Sequence, residues 1–184
     1  MSTMLLGFVV LFLLSLIPLG WVALRTYQKF RGTRVITCPE TGCPAAVEVD
    51  KRHAAATSAA GETELRLISC SRWPEREGCG QECLAQIEAA PEGCLVRIML
   101  AEWYRGSTCA FCQKEIPEIH WSDNKPALLT PDRKTLEWDE VRPEDLPRVF
   151  ATHQRVCWNC HIAQSFRAQF PGLAIERPAE KRAS

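Results

Sequence analysis

No lysine, arginine, aspartate or glutamate occurs in residues 1–24, and over the whole chain of 184 residues neither sign prevails, because 22 Lys and Arg face 22 Asp and Glu. A strongly basic nucleic-acid binder is therefore not expected, since a duplex-binding face needs clustered cations to neutralise phosphates. Four basic residues, Arg25, Lys29, Arg31 and Arg34, precede the first acid, Glu40. That leaves 18 basic against 22 acidic residues, a net charge of about −4, from residue 35 onward. The chain lacks a Gly-rich phosphate loop, a Gly-x-Ser-x-Gly elbow and a His-Glu-x-x-His pair, so no motif demands an enzyme and no catalytic residue is assigned. It also lacks internal repeats, and its only biased tract is the polar end after Arg177. With 46% hydrophobic residues and six Trp, it is not a disordered acidic chain.

What stands in the charge-free stretch is a run of apolar residues. Residues 5–24 read LLGFVVLFLLSLIPLGWVAL, and a helix of that length, at roughly 1.5 Å per residue, covers about 30 Å, the hydrocarbon thickness of a bilayer. A transmembrane helix is expected there, with Trp21 and Tyr27 at the headgroup boundary and Pro18 tolerated as a kink. A cleaved signal is the competing reading, but the basic n-region it requires is missing. The four cations after the apolar run favour a single-pass membrane protein with residues 1–4 as a short outer tail and residues 25–32 as a basic juxtamembrane segment. The lipid bilayer is then a partner, and the soluble part is cytoplasmic.

About 150 residues remain to fold, and the cysteine spacing divides them into a Cys-rich first lobe at 33–106, a second lobe at 107–172 and a flexible tail at 173–184. In the first lobe we expect strands at 34–37, 45–49 and 64–69 and helices at 51–60, 81–89 and 92–104. The second lobe should open on Cys109-Ala-Phe-Cys112 and continue through a hairpin with arms at 127–129 and 135–138. A helix at 143–152 then precedes Cys157-Trp-Asn-Cys160, and an amphipathic helix runs from there to Gln169, stopped by Pro171-Gly172.

Ten cysteines carry the chemistry: Cys38, Cys43, Cys70, Cys79, Cys83, Cys94, Cys109, Cys112, Cys157 and Cys160. Two Cys-x-x-Cys pairs, Cys109 with Cys112 and Cys157 with Cys160, form the strongest signal. Two thiolates at that spacing point at one ion, and a second pair completes a tetrahedral sulfur shell with bonds of about 2.3 Å. The order of turn pair, hairpin and helix-opening pair over residues 109–169 resembles the treble-clef and zinc-ribbon families of structural zinc modules. That resemblance implies zinc held by Cys109, Cys112, Cys157 and Cys160, within a longer gap than compact members have. The expected fold class is α+β, with a single N-terminal transmembrane helix followed by small metal-stapled lobes, the second treble-clef-like.

Two rival readings share these sulfurs. Cys157-Trp-Asn-Cys160-His161 matches the Cys-x-x-Cys-His pattern that holds c-type haem, with His161 as axial ligand and His153, His120 or Met99 as the distal candidate. Against it, Cys109 and Cys112 would lose their partners, so His161 is read as a solvent-facing helix residue. An iron-sulfur cluster would use the same kind of four-thiolate set. In the first lobe the preferred second set is Cys38, Cys70, Cys79 and Cys83, with Cys43 a substitute and Cys94 a buried apolar residue. Trp73 is expected to cover that set or to be an ordinary half-buried surface Trp, and His120 to Asp123 to form a surface turn. The function expected from these features is that of a membrane-anchored zinc-binding protein with a structural role in presenting a surface to a membrane-associated protein. Electron transfer, through haem or an iron-sulfur cluster in the first lobe, is the alternative.

Overall fold

The computed structural model describes residues 2–75, 78–119, 121 and 125–173; within this range the side chains of residues 2–4, 6, 8–13, 15 and 173 are not described. The chain is α+β with two small sheets, and it divides into two compact units. The first comprises Met1–Leu100 with Pro143–Pro147, the second Ala101–Arg142 with Arg148–Ser184. The expected tail from residue 174 on lies outside the described residues.

The first unit begins with helix α1 (Ser2–Lys29). The transmembrane reading of residues 5–24 is corrected here, because among the described residues no helix is long and apolar enough to cross a membrane. The single-pass localisation and the juxtamembrane role of residues 25–32 rested on that span and are withdrawn with it.

After α1 come β1 (Arg34–Thr37), β2 (Pro44–Val49), α2 (Lys51–Ala59) and β3 (Leu67–Cys70), with the strands paired antiparallel in the order β1-β2-β3. In β2, Ala45, Val47 and Val49 alternate inward, the period-2 pattern of a half-buried strand. They join Ile36, Cys38, Ala54, Leu67, Cys83 and Ile87 in one core. Asp50 caps α2 by accepting from the backbone N–H of Arg52 at 3.2 Å and of His53 at 3.0 Å, and it also takes the Arg66 guanidinium at 2.6 Å. The His53 N–H and Arg66 together hold its carboxyl below the ordinary value. Two shorter elements follow, α3 (Leu84–Ala89) and the start of α4 (Val96–Tyr104), and the unit is completed by Pro143–Pro147 from further along the chain. The segment before α4 lies along β1 through Val35 N–H to Cys94 O at 2.8 Å and Val96 N–H to Thr33 O at 3.1 Å. Residues 92–94, expected as helix, instead form a turn closed by Leu95 N–H to Glu92 O at 3.0 Å, and Leu95 makes an antiparallel bridge to Arg34.

A fully buried arginine ends α1. Arg34 donates to the carbonyls of Lys29 (2.6 Å), Phe30 (3.0 Å), Gly32 (3.0 Å) and Pro91 (3.3 Å). The Lys29 and Phe30 carbonyls lie at the helix end, where carbonyls lack intrahelical donors and the helix dipole is negative. Carbonyl dipoles thus solvate a cation whose pKa burial lowers. Replacing it by Ala should destabilise the first unit by about 3 kcal/mol or more, because several buried acceptors lose their donor together. Urea denaturation of Arg34→Ala checks this; a loss below about 1 kcal/mol would contradict the capping role.

In the second unit, β4 (Ala127–Leu129) is flanked by β5 (Thr135–Leu136) and β6 (Gln154–Val156), all antiparallel in the order β5-β4-β6. All three residues of β4 are buried, as befits the central strand. Between β5 and β6 the chain passes through short 3-10 turns at Trp138–Glu140 and Pro143–Asp145 and helix α5 (Leu146–Thr152). The last helix, α6 (Trp158–Gln169), follows β6 directly. Tyr104 donates from its hydroxyl to Ala127 O at 2.6 Å, and Arg155 lies over the Trp103 ring at 4.4 Å while donating to Trp103 O at 2.6 Å. These contacts tie the end of α4 to β4 and β6.

Candidate metal centre

The first cysteine pair sits in a tight knuckle. Cys109 N–H donates to Lys114 O at 2.9 Å and Gln113 N–H to Cys109 O at 3.0 Å, and Gln113 closes the turn with φ +58°. Thr108 and Glu115 form an antiparallel bridge at its base, and Ala110 N–H donates to Arg155 O of β6 at 2.9 Å. That last bond sets the knuckle beside the strand that leads into the second pair. Cys157 is the extended residue just before α6, and His161 N–H closes the first helical turn onto Cys157 O at 3.0 Å, which leaves Cys160 on that turn.

The two pairs meet. The sulfurs of Cys109, Cys112, Cys157 and Cys160 all lie within 4.8 Å of one another, a group able to hold a metal ion, with Cys112 Sγ and Cys157 Sγ 3.8 Å apart. Cys109 is completely buried, Cys112 is exposed, and the other two are half-buried at the edge of a core built from Tyr104, Ile116, Ala127, Leu129 and Val156. Four cysteines in this arrangement suit a metal such as zinc or an iron-sulfur centre.

The electrostatics fit a cation. Burial by itself would raise the Cys109 pKa, but the backbone N–H groups of Cys112, Cys157 and Phe111 point at its sulfur and bring it down to about 6. The Cys157 N–H lies 3.3 Å from it. Its neighbours move the other way: burial pushes Cys157 up, helped by Cys109 and Cys112 and opposed by Cys160, and burial followed by the other three sulfurs pushes Cys160 up. The Cys109 thiolate thus forms readily, whereas those of Cys157 and Cys160 are resisted until positive charge arrives among them.

Comparison with protein-family models, with curated proteins and with solved structures finds no match to the chain, so the centre rests on its own geometry. Among the described residues no second group of His, Cys, Asp or Glu is gathered as closely as these four. Cys38, Cys70, Cys79 and Cys83 instead surround a small cavity in the first unit, which Trp73 also lines. Burial, followed by the nearness of Cys70, Cys79 and Cys38, pushes the Cys83 thiol up to about 11. Cys43 is exposed, and Cys94 is half-buried with its thiol 3.3 Å from Ala90 O.

His161 departs from its expected place. It is only 4% exposed, its Nε2 lies 3.3 Å from Glu137 Oε1, and Trp158 flanks its ring at 5.5 Å. The reading as a solvent-facing residue is therefore corrected. Its place one residue after Cys160 puts it on the inner face of α6, which the Cys-x-x-Cys-His spelling alone does not reveal. Haem held at Cys157 and Cys160 would have to take both sulfurs out of the four-sulfur group. His120, Ser122 and Asp123 of the expected surface turn lie outside the described residues, and Trp121 is exposed.

Because zinc binds four thiolates and only Cys109 among these cysteines is lowered to about 6, binding of one zinc ion to this centre should release about three protons at pH 7. Acidification should therefore weaken binding. Calorimetric titration of the metal-stripped chain in two buffers of different ionisation enthalpy measures the number, and binding without proton release would contradict the charge state described here.

Proposed function

We propose that the chain is a zinc-stapled protein-interaction module, in which the ion has a structural role and the second unit presents an apolar surface to a protein partner. The observation that carries this reading is the four-sulfur group. Four protein ligands complete a tetrahedral shell and leave no open position for water or substrate, the mark of structural rather than catalytic zinc. A unit whose core is built around a three-stranded sheet of short strands gains folding free energy from such an ion, on the order of 10 kcal/mol in small zinc peptides.

The surface that zinc would steady is apolar. Along α6 and its end, Ile162, Phe166 and Phe170 recur four residues apart on one face, each nearly half exposed, and the Phe166 and Phe170 rings touch at 5.0 Å. Phe111, at the tip of the knuckle, is exposed as well. Aromatic side chains gathered on a helix that begins at two zinc ligands suit an aromatic-rich protein interface better than contact with an anionic polymer.

The reading is tested in two parts. Purified chain should be colourless and contain zinc, and removing the metal with a chelator, or substituting Cys109→Ser, should abolish the near-ultraviolet circular dichroism of the second unit. A brown, iron-containing protein would replace zinc by an iron-sulfur centre and favour electron transfer. A photo-crosslinking residue at position 166 should give a discrete protein adduct in cells that disappears on Ile162→Asp; no adduct, or one indifferent to that substitution, would contradict the interaction surface.

A further inference from the structure

We propose that Cys38, Cys70, Cys79 and Cys83 form a second four-thiolate site in the first unit, which takes a soft divalent cation of the zinc type independently of the first centre. This goes beyond the function proposed above, which needs only the second unit.

Two turns of the chain share a geometry that their spelling hides. In the turn Cys38-Pro-Glu-Thr-Gly-Cys43 between β1 and β2, Gly42 N–H donates to Cys38 O at 2.8 Å and Cys38 N–H to Cys43 O at 2.9 Å. In the second unit the same two bonds, at the same offsets of four and five residues, join Gln113 and Lys114 to Cys109 at 3.0 and 2.9 Å. The residue at the fourth position has positive φ in both, +63° for Gly42 and +58° for Gln113. The N–H groups two and three residues on, of Glu40 and Thr41, are aimed at the Cys38 sulfur as those of Phe111 and Cys112 are at Cys109. The first unit therefore carries the same metal-binding knuckle. It differs at the third offset, where Thr41 replaces cysteine and turns its hydroxyl toward Cys38. This knuckle offers one sulfur where the other offers two, and three more must come from elsewhere.

The fold brings them. Cys70 is the last residue of β3, level with Val47 of β2, and Cys79 and Cys83 lead into α3. Gln81 binds that loop to the sheet: its side-chain oxygen accepts from Leu67 N–H at 2.8 Å, its own N–H lies 3.4 Å from Cys79 Sγ, and its φ of +56° is the left-handed turn this requires. The result is a single cavity lined by all four cysteines and holding about 20 Å³ of room, enough for one water-sized body. Its sulfurs stand further apart than those of the first centre, so the ion would draw them in. Arg72 also lines the cavity; its Nη2 pairs with Glu75 at 3.1 Å, while its Nε is buried and meets no acceptor among the described residues. A buried guanidinium N–H with its acceptor still to be supplied, beside four thiols, suits a four-thiolate metal centre, whose net charge is −2 with a divalent ion. Cys43 and Cys94 stay outside, the one exposed and the other committed to Ala90 O.

Native mass spectrometry of the full chain, loaded with zinc and freed of excess, tests this. The unaltered chain should carry two zinc ions, Cys38→Ser and Cys109→Ser one each, and the exposed control Cys43→Ser two. If Cys38→Ser does not fold, the count for the unaltered chain decides together with alkylation mapping. Cys38, Cys70, Cys79 and Cys83 should be protected while zinc is bound and react once it is chelated, whereas Cys43 reacts throughout. One zinc per chain that disappears with Cys109→Ser overturns the second site alone. One that disappears only with Cys38→Ser overturns the centre of the second unit instead, and a disulfide among the four first-unit cysteines would also overturn the proposal made here.

Discussion

Four sulfur atoms within 4.8 Å of one another set the terms for the second unit. As thiolates they repel strongly in a partly buried place; as thiols they are poor hydrogen-bonding groups that contribute little beyond apolar packing. A divalent cation resolves the conflict, since it neutralises the charge and replaces repulsion with four bonds. The opposed shifts of Cys109 on one side and of Cys157 and Cys160 on the other express that conflict.

The rest of the unit serves to bring the two pairs together. They are separated by 44 residues of sequence, and their meeting depends on β6, which pairs with β4 on one side and receives the knuckle through Ala110 on the other. Tyr104 and Arg155 lock that sheet to the end of α4. His161 and Glu137 join α6 to the turn after β5. In turn, α6 projects Ile162, Phe166 and Phe170 outward, so the metal chemistry and the apolar surface are two ends of one short helix.

How much of this was legible depends on range. The Cys-x-x-Cys pairs announce themselves because both ligands lie within one turn, and β1 and β4 follow from short β-branched or apolar runs beside turn residues. Strand β6 was missed: Gln154, Arg155 and Val156 have no alternation long enough to read, and their extended form comes from pairing with β4. The knuckle at Cys38 was half legible, since its spacing of five residues hides hydrogen bonds identical in offset to those at Cys109. His161 was misplaced because burial on a helix depends on what packs against it, here Glu137 from a turn far away in sequence. The apolar run at the start was read as a span from composition, and the described residues do not sustain a span.

The central claim is that Cys109, Cys112, Cys157 and Cys160 together hold one structural zinc ion. X-ray absorption at the zinc edge tests it most directly, on the chain carrying Cys38→Ser so that the second unit alone reports. The account predicts four sulfur neighbours at about 2.3 Å and no light-atom ligand. A shell containing nitrogen or oxygen at about 2.0 Å, or a chain that retains no zinc, would contradict it.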